Sequence, residues 1–123
     1  VELVALTGAT KKNVAYEKNQ HERLSVKLGY GRDWVEAVEV LDPDPQIALS
    51  VAEKCIQRFM IAALERDGHD TEALLDSDVD TLGHTRAVAI LMVMGLYTTH
   101  AIMVNSLVIK APVPSIFEDG FVA

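Results

Sequence analysis

Between Arg86 and Lys110 the chain has 23 consecutive residues without an Asp, Glu, Lys or Arg. No other charge-free stretch of the 123-residue sequence approaches this length. A helix of about 20 apolar residues can span a bilayer, form the centre of a soluble core, or be covered by other copies of the same chain. The environment of this run therefore constrains the fold and the function more than any other feature.

The polar residues of the run favour a protein environment over lipid. On a helical wheel most of them share one sector about 120° wide, with His100 roughly opposite. The sector contains Gly95, Thr98, Thr99, Asn105 and Ser106. A lone membrane helix would bury Asn105 and His100 in lipid at a considerable cost in free energy, and no aromatic belt marks its ends. We therefore expect a long apolar central helix from about Thr85 to Ile109, with membrane insertion of residues 87–109 as the alternative.

Capping signals predict two helices before this run. Asn13 and Gly29 are a possible N-cap and C-cap of a polar helix with a weak apolar stripe. The stripe consists of Val14, Leu24 and Leu28. Asp33 and Glu36 then have the spacing of a capping box, which favours a short helix. A strand through residues 38–40 is the alternative, because apolar and charged residues alternate there.

Two prolines separate this region from the next helix. Pro43 ends the short helix, and Pro45 stands at a first helical position, where its missing N–H costs no hydrogen bond. We expect the next helix to run from about Gln46 to Arg66. Its apolar residues cover about half of the circumference, so the helix contacts more than one neighbour. A short helix over residues 71–75 is expected to follow.

The two ends of the chain look less helical. Residues Val1 to Thr7 form a short apolar run that predicts a strand or an extended arm. Pro112 and Pro114 prevent a continuous helix near the other end. The sequence thus predicts a mainly α fold: a small helical bundle with a long apolar central helix, a short N-terminal strand or arm and an extended C-terminal tail. A single domain would cover residues 1–111, and the tail would cover residues 112–123.

The tail supplies the candidate interface residues. Its bulky apolar side chains cannot join an amphipathic helical stripe, and exposed apolar patches usually mark binding sites. The predicted interface consists of Pro112, Val113, Pro114, Ile116, Phe117 and Phe121. The alternative is that the tail folds back over its own bundle.

Composition narrows the classes of partner and site. Half of the residues are hydrophobic, as in a folded domain, and the net charge of −7 disfavours a surface that grips nucleic acid phosphates. Cys55 is the only cysteine and is expected to be a buried core thiol.

We predict no catalytic, cofactor-binding or metal-binding residue. Residues Asp76 to Asp80 place carboxylates at the first, third and fifth positions of a calcium loop, but Thr81 and Ala87 stand where such a loop needs Gly and Glu. A solvated acidic turn is therefore expected. His69 and His84 match no zinc-binding spacing.

Two stretches carry a resemblance to a known family. They are "LDPDPQIALSVAEKCIQRFMIAAL" and "RAVAILMVMGLYTTHAIMVNSLVIKAPVPSIFEDGF", which together cover roughly the last two thirds of the chain. An acidic turn at 42–44 leads into an alanine-rich helix, a very apolar segment at 86–97 ends at a tyrosine, and a proline-containing segment follows at 112–121. This order resembles the small head–tail connector, or adaptor, proteins that complete the heads of tailed bacteriophages.

The resemblance implies a structural subunit of the virion, assembled in the host cytoplasm, and not an enzyme. Copies would form a homo-oligomeric ring beneath the portal that continues the DNA channel, and DNA would pass without specific binding. The tail would dock on a neighbouring portal or tail component. Two alternatives from other classes are a membrane-embedded subunit anchored by residues 87–109 and a small helical enzyme or binding module that uses His100.

Overall fold

The computed structural model of the chain describes residues 1–119 and Phe121. Within these residues the chain forms seven helices and no strand. In chain order they are α1 (Glu2–Lys11), α2 (Ala15–Lys27), α3 (Arg32–Glu39), α4 (Val51–Arg66), α5 (Glu72–Leu82), α6 (His84–Ser106) and α7 (Ile116–Asp119). The predicted mainly α fold and its long apolar helix are confirmed.

Helix α1 lies at the centre of the bundle and packs against α2, α3, α4 and α6. All its residues from Glu2 to Thr7 are buried, as is Ala9. The predicted N-terminal strand or arm is therefore wrong. A short apolar run does not by itself distinguish a buried strand from a buried helix. The helix satisfies its own backbone hydrogen bonds, whereas a strand would need a partner strand that the described residues do not provide.

Two hydrophobic clusters lie on different sides of α1. The α3 cluster contains Leu3, Leu6, Trp34, Val35, Ala37, Val38, Leu49 and Ile116. The α6 cluster contains Val4, Phe59, Met60, Ala63, Ile90 and Met94. Helices α4 and α6 thus share a cluster, and α1 packs against both of them.

Two predictions near the N-terminus are wrong: the apolar stripe of α2 and the capping box of α3. Leu24 and Leu28 are exposed, and α2 instead buries a polar face that contacts the C-terminal part of the chain. That face consists of Asn19, Glu22 and Ser25. The capping box at Asp33 does not form, because α3 begins at Arg32, two residues earlier than this box would place it, and Gly31 is its N-cap. The φ angle of +82° at Gly31 favours glycine over any L residue.

Helix α4 begins later than predicted, and α5 ends later. A capping box between Ser50 and Glu53 starts α4 at Val51, so residues 46–50 lie outside the helix. This box is stronger than the proline signal because it satisfies two backbone N–H groups. The expected acidic turn at Asp76–Asp80 is wrong, since these residues continue α5. Asp78 faces the interior, where Cys55 is buried as predicted.

Residues 107–115 have no regular secondary structure and lead from α6 to α7. The segment turns back against α2, and Ile116 enters the α3 cluster. The described part of the tail thus packs on its own bundle, and the extended tail predicted from the prolines is wrong at residues 116–119, which form α7.

Candidate functional site

Helix α6 turns one narrow stripe towards the rest of the chain. Its buried residues recur at alternating intervals of three and four, with the half-buried Tyr97 completing the series. They are Ala87, Ile90, Met94, Ala101 and Val104. This is the spacing of a helix that packs along one seam. The stripe and the half-buried Val93 beside it cover only part of the circumference, so several other apolar residues of α6 remain exposed in this chain.

The other side of α6 is a broad apolar surface, which we name the exposed α6 face. It consists of Val88, Leu91, Met92, Leu96, Ile102 and Met103. These six side chains are between 41% and 72% exposed. They lie on one side of the helix, with the small or polar residues Gly95 and Thr99 between them, and large exposed apolar surfaces usually mark binding sites. The face carries no charged residue.

The length and composition of α6 also suit a membrane. An 18-residue window within this 23-residue helix has a mean hydropathy of 1.9, and only 28% of that window is buried in the chain. A core helix of a soluble protein would be mostly buried. The exposed α6 face must therefore meet something outside the chain, whether lipid or protein.

A polar network lies beside α6, near its middle. The Nδ1 atom of His21 is 2.6 Å from a carboxylate oxygen of Glu2, and its Nε2 atom is 3.2 Å from the hydroxyl of Tyr97. Glu17 lies 3.7 Å from the same Nε2 and 3.5 Å from Nδ1 of His100. The network therefore links α1, α2 and α6.

This order of carboxylate, imidazole and hydroxyl resembles a nucleophile triad, but the hydroxyl is not activated. Burial raises the pKa of Tyr97, and the negative charges of Glu2 and Glu17 raise it further. The phenol therefore stays protonated at neutral pH, and its oxygen lies within hydrogen-bond distance of Nε2 of His21. A nucleophilic phenol needs a lowered pKa, whereas this pKa is raised. The contacts hold α1, α2 and α6 in position relative to one another.

His100, the residue behind the alternative enzyme hypothesis, lines a shallow groove between α2 and the end of α6. The groove has a volume of about 250 Å³ and is mostly apolar. Its lining includes Tyr16, Glu17, Met103 and Val104. The imidazole is about 45% exposed, and its Nδ1 atom lies 3.5 Å from a carboxylate oxygen of Glu17. Among the described residues, no group of three or more His, Cys, Asp or Glu is placed to hold a metal ion.

The predicted interface residues are distributed over the surface and the core. Ile116 is completely buried, whereas Phe117 is 42% exposed and Pro112 and Pro114 are exposed. Val113 and Phe121 are half-buried. Ile116 is therefore not accessible to a partner while the segment stays in this position.

The C-terminal segment, which comprises residues 112–119 and Phe121, is held mainly through its main chain. The Asn19 amide donates to the carbonyl of Val113, and Arg23 donates two hydrogen bonds to the carbonyl of Pro114. Arg32 donates to the carbonyls of Ile116 and Phe121, at 2.9 and 2.6 Å.

Both arginines also stack on aromatic rings. The Arg23 guanidinium lies 4.6 Å from the ring centre of Phe121, and that of Arg32 lies 5.4 Å from Phe117. Such contacts stabilise a partly exposed aromatic side chain at the surface.

The polar network around His21 could not be predicted from any local sequence pattern. Glu2, His21 and Tyr97 belong to three different helices and meet only through the fold. The buried polar face of α2 was detectable as a pattern, because Asn19, Glu22 and Ser25 recur every three residues. Polar residues in a helix usually face solvent, so the spacing alone favoured the opposite orientation.

Comparisons of the chain with protein-family models, with curated protein sequences and with solved structures give no match.

Proposed function

We propose that this protein is a structural subunit of a larger protein assembly, and that the exposed α6 face is covered there by neighbouring copies of the chain. The specific form we propose is a head–tail connector ring of a tailed bacteriophage, located in the virion. The observation that carries the assembly proposal is the apolar, charge-free patch on α6. The sequence resemblance alone supports the connector form.

The size of the exposed α6 face is sufficient for a subunit contact. Burying one fully exposed Leu, Ile or Met side chain contributes about 1.5–3 kcal/mol, so six partly exposed ones favour association even after its entropic cost. Stable interfaces bury about 1,200 Å² or more in total, so each of the two contacting surfaces has to contribute roughly 600 Å².

A second apolar surface provides the different partner surface that a ring requires. Ile47 is fully exposed and lines an open pocket of about 560 Å³ together with Val40 and Pro45, and the acidic residues Asp33 and Glu36 lie at the same pocket. In a cyclic ring each copy uses two different surfaces, one towards each neighbour. The pocket lies beside α3, whereas the first surface is on α6, and both helices pack against α1. The two surfaces therefore belong to different helices of the bundle.

The charge of the chain fits passage of DNA without specific binding. The net charge of −7 repels phosphates, so DNA would slide through a channel formed by copies of this chain without being held. Phe117, at the exposed end of the C-terminal segment, supplies an apolar anchor for a neighbouring portal or tail component. Under this proposal the chain is not an enzyme and needs no cofactor.

The alternative is a membrane-embedded subunit, which the length and exposure of α6 favour. The polar network weighs against it. Tyr97 lies near the middle of α6 and brings Glu2, Glu17 and His21 to that depth. A bilayer around α6 would place these groups near its centre, where each ionised side chain costs several kcal/mol.

Light-scattering mass determination without detergent tests the proposal. We expect a mass several times the 13.5 kDa of one chain. Leu96→Glu places a charge in the exposed α6 face and should reduce the mass to that of a monomer. Leu28→Glu is the matched control, because Leu28 is a similarly exposed leucine outside this face. Its mass should equal that of the wild type.

Two outcomes contradict the proposal. A wild-type chain that stays a soluble monomer at its highest soluble concentration needs no partner copy. A chain that requires detergent and floats with vesicles of neutral phosphatidylcholine is a membrane protein.

A further inference from the structure

Helix α6 is followed by a short apolar segment that lies in solvent. Leu107, Val108 and Ile109 are all exposed, and Lys110 comes directly after them. Leu107 and Ile109 also line the groove beside His100, whereas Val108 is 80% exposed and is the most exposed apolar side chain of the segment. We name residues 107–110 the α6 end segment.

The backbone at Val108 is unfavourable for a valine. Its φ angle is +54°, in the left-handed region that a β-branched residue rarely adopts. The N–H of Ile109 donates to the carbonyl of Val104 at 3.0 Å, a hydrogen bond typical of helix ends that have glycine at the position of Val108. A glycine would suit this backbone, and a polar side chain would suit the solvent. A residue that meets neither local requirement is typical of a functional contact.

Lys110 gives the α6 end segment a positive charge. It is the only Lys or Arg in residues 87–123. The ion pairs that form within the described part of the chain do not include it. The segment therefore combines an exposed apolar side chain with a cation that its own described residues do not neutralise.

The open pocket beside α3 has the complementary properties, and we name it the α3 pocket. Val40, Pro45 and Ile47 give it an apolar wall, and Asp33 and Glu36 lie at the same pocket. These two carboxylates are three residues apart on α3, so they are neighbours on one side of the helix. Neither has an ion-pair partner among the residues that the structure describes. A cation from outside the chain would reduce the repulsion between them.

We propose that the α6 end segment of one copy enters the α3 pocket of a neighbouring copy. Val108 packs there against the apolar wall, and the Lys110 ammonium pairs with the two carboxylates. A lysine can lay its aliphatic stem along an apolar surface while its charged end stays at the rim. This inference rests on the proposed assembly of copies, and it specifies how consecutive copies meet.

The arrangement of the two surfaces favours a contact between copies. The lining of the α3 pocket includes no residue of the α6 end segment, so the chain does not fill its own pocket. One copy can present the segment to one neighbour and the pocket to the other, which is the head-to-tail contact of a ring. Copies with a net charge of −7 repel one another on average, and a local match of opposite charges selects one orientation of approach.

Charge reversal tests the contact, with association measured by light scattering over a dilution series without detergent. Lys110→Glu places a negative charge beside the two carboxylates, and we expect association to weaken by about tenfold or more. Lys27→Glu is the matched control, because Lys27 is an exposed lysine on α2 that does not line the α3 pocket. It makes the same change of net charge and should leave association within about threefold of the wild type.

Reversing the partner charge identifies the pair. Glu36→Lys alone should weaken association, since it places a cation opposite Lys110. The double variant Lys110→Glu with Glu36→Lys should recover most of the lost association, because the two charges are again opposite. A mixture of the two single variants should recover it as well, which shows that the pair forms between copies.

Val108→Gly tests the apolar anchor. Glycine adopts a φ of +54° without strain, so the melting temperature in the monomeric Leu96→Glu background should not fall. Association in the wild-type background should weaken by about tenfold, the factor that corresponds to burying one valine side chain.

The results separate this contact from the assembly itself. A wild-type chain that stays monomeric overturns both proposals. A wild-type oligomer that Lys110→Glu and Val108→Gly leave unchanged overturns only the contact, and assembly through the exposed α6 face stands. Equal weakening by Lys110→Glu and Lys27→Glu, or no recovery in the double variant, also overturns the contact.

Discussion

Asp78 is a completely buried carboxylate on α5 that the sequence placed in a solvated turn. The Cys55 thiol donates to its Oδ1 atom at 3.0 Å, while Oδ2 is buried without a hydrogen-bond partner. Burial raises the pKa of Asp78, and the hydrogen bond from Cys55 offsets part of that rise. Burial likewise raises the pKa of the Cys55 thiol, and the neighbouring carboxylate adds to it. The thiol is therefore a hydrogen-bond donor and not a reactive thiolate.

Replacing Asp78 with Asn should stabilise the protein at neutral pH. Because the folded state raises the pKa of Asp78, its contribution to stability is fully present below about pH 4 and is lost as pH rises through the raised value. The amide side chain would keep an acceptor for Cys55 without the charge. We expect the free energy of unfolding at pH 7 to increase by about 1 kcal/mol in urea denaturation, with a weaker dependence on pH.

Asp76→Asn, at an exposed position on the same helix, is the control and should change stability by less than about 0.5 kcal/mol. A clear loss of stability in Asp78→Asn would show that the ionised carboxylate has a favourable partner.

At the level of single residues, apolar positions were predictable and buried polar ones were not. Cys55 is buried as its residue type indicated, and Phe59 on the apolar side of α4 is buried as well. Glu22 and Asp78 are buried because partners from distant parts of the chain offset their desolvation. A charged residue is normally assigned to the surface, and only the tertiary contact reverses that assignment.

Helix α6 carries a glycine where its own chain gives no reason for one. Gly95 lies in the middle of the helix, on the exposed side, and a Cβ atom there would meet nothing within 4 Å. Glycine within a helix costs about 1 kcal/mol relative to alanine. A small residue beside Leu96 and Leu91 permits close approach of a second helix from another chain.

Gly95→Ala should therefore have opposite effects on the single chain and on the assembly. In a monomeric background such as Leu96→Glu, we expect thermal or urea unfolding to show a gain of about 0.5–1 kcal/mol. In the wild-type background, light scattering should show weaker association, because the added methyl group separates the packed surfaces. Association that is unchanged or stronger would place Gly95 outside the contact.

Helix type was easier to predict than helix boundaries. The periodic pattern of α4 and the charge-free run of α6 each depend on many residues, so a misjudged single position does not change the predicted helix. Boundaries depend on one or two caps, and α4 begins at the Ser50–Glu53 box instead of at the prolines before it. Helix α1 was not predicted because its short apolar run has neither a helical spacing of polar residues nor a capping side chain.

The C-terminal segment belongs to the folded domain of the whole molecule. Ile116 fills a space in the α3 cluster beside Leu6 and Trp34, and four main-chain carbonyls of the segment accept hydrogen bonds from α2 and from Arg32 at the start of α3. A tail that served only as an external docking strand would contribute nothing to the stability of the bundle. This segment instead closes one side of it.

Ile116→Ala should accordingly destabilise the protein. The side chain is fully buried, so we expect a loss of about 2–5 kcal/mol in the free energy of unfolding, measured by urea denaturation at neutral pH. Phe117→Ala is the matched control, since Phe117 is adjacent but 42% exposed, and should cost less than about 1 kcal/mol. Equal stability of Ile116→Ala and the wild type would mean that the segment does not complete the core.

The burial of α1 among later helices determines how the chain behaves during translation. Helix α1 leaves the ribosome before α6 and α7, and Ile90 and Ile116 complete the two clusters that flank it only after those later helices are made. At about 5–20 residues per second, the apolar sequence "LVAL" waits roughly 5–20 s for these partners. A helix of this length is unstable alone, so the nascent chain presents an unfolded apolar segment to chaperones until both later helices have emerged. Folding of the bundle then follows the synthesis of its most distant elements and is not a stepwise addition of helices.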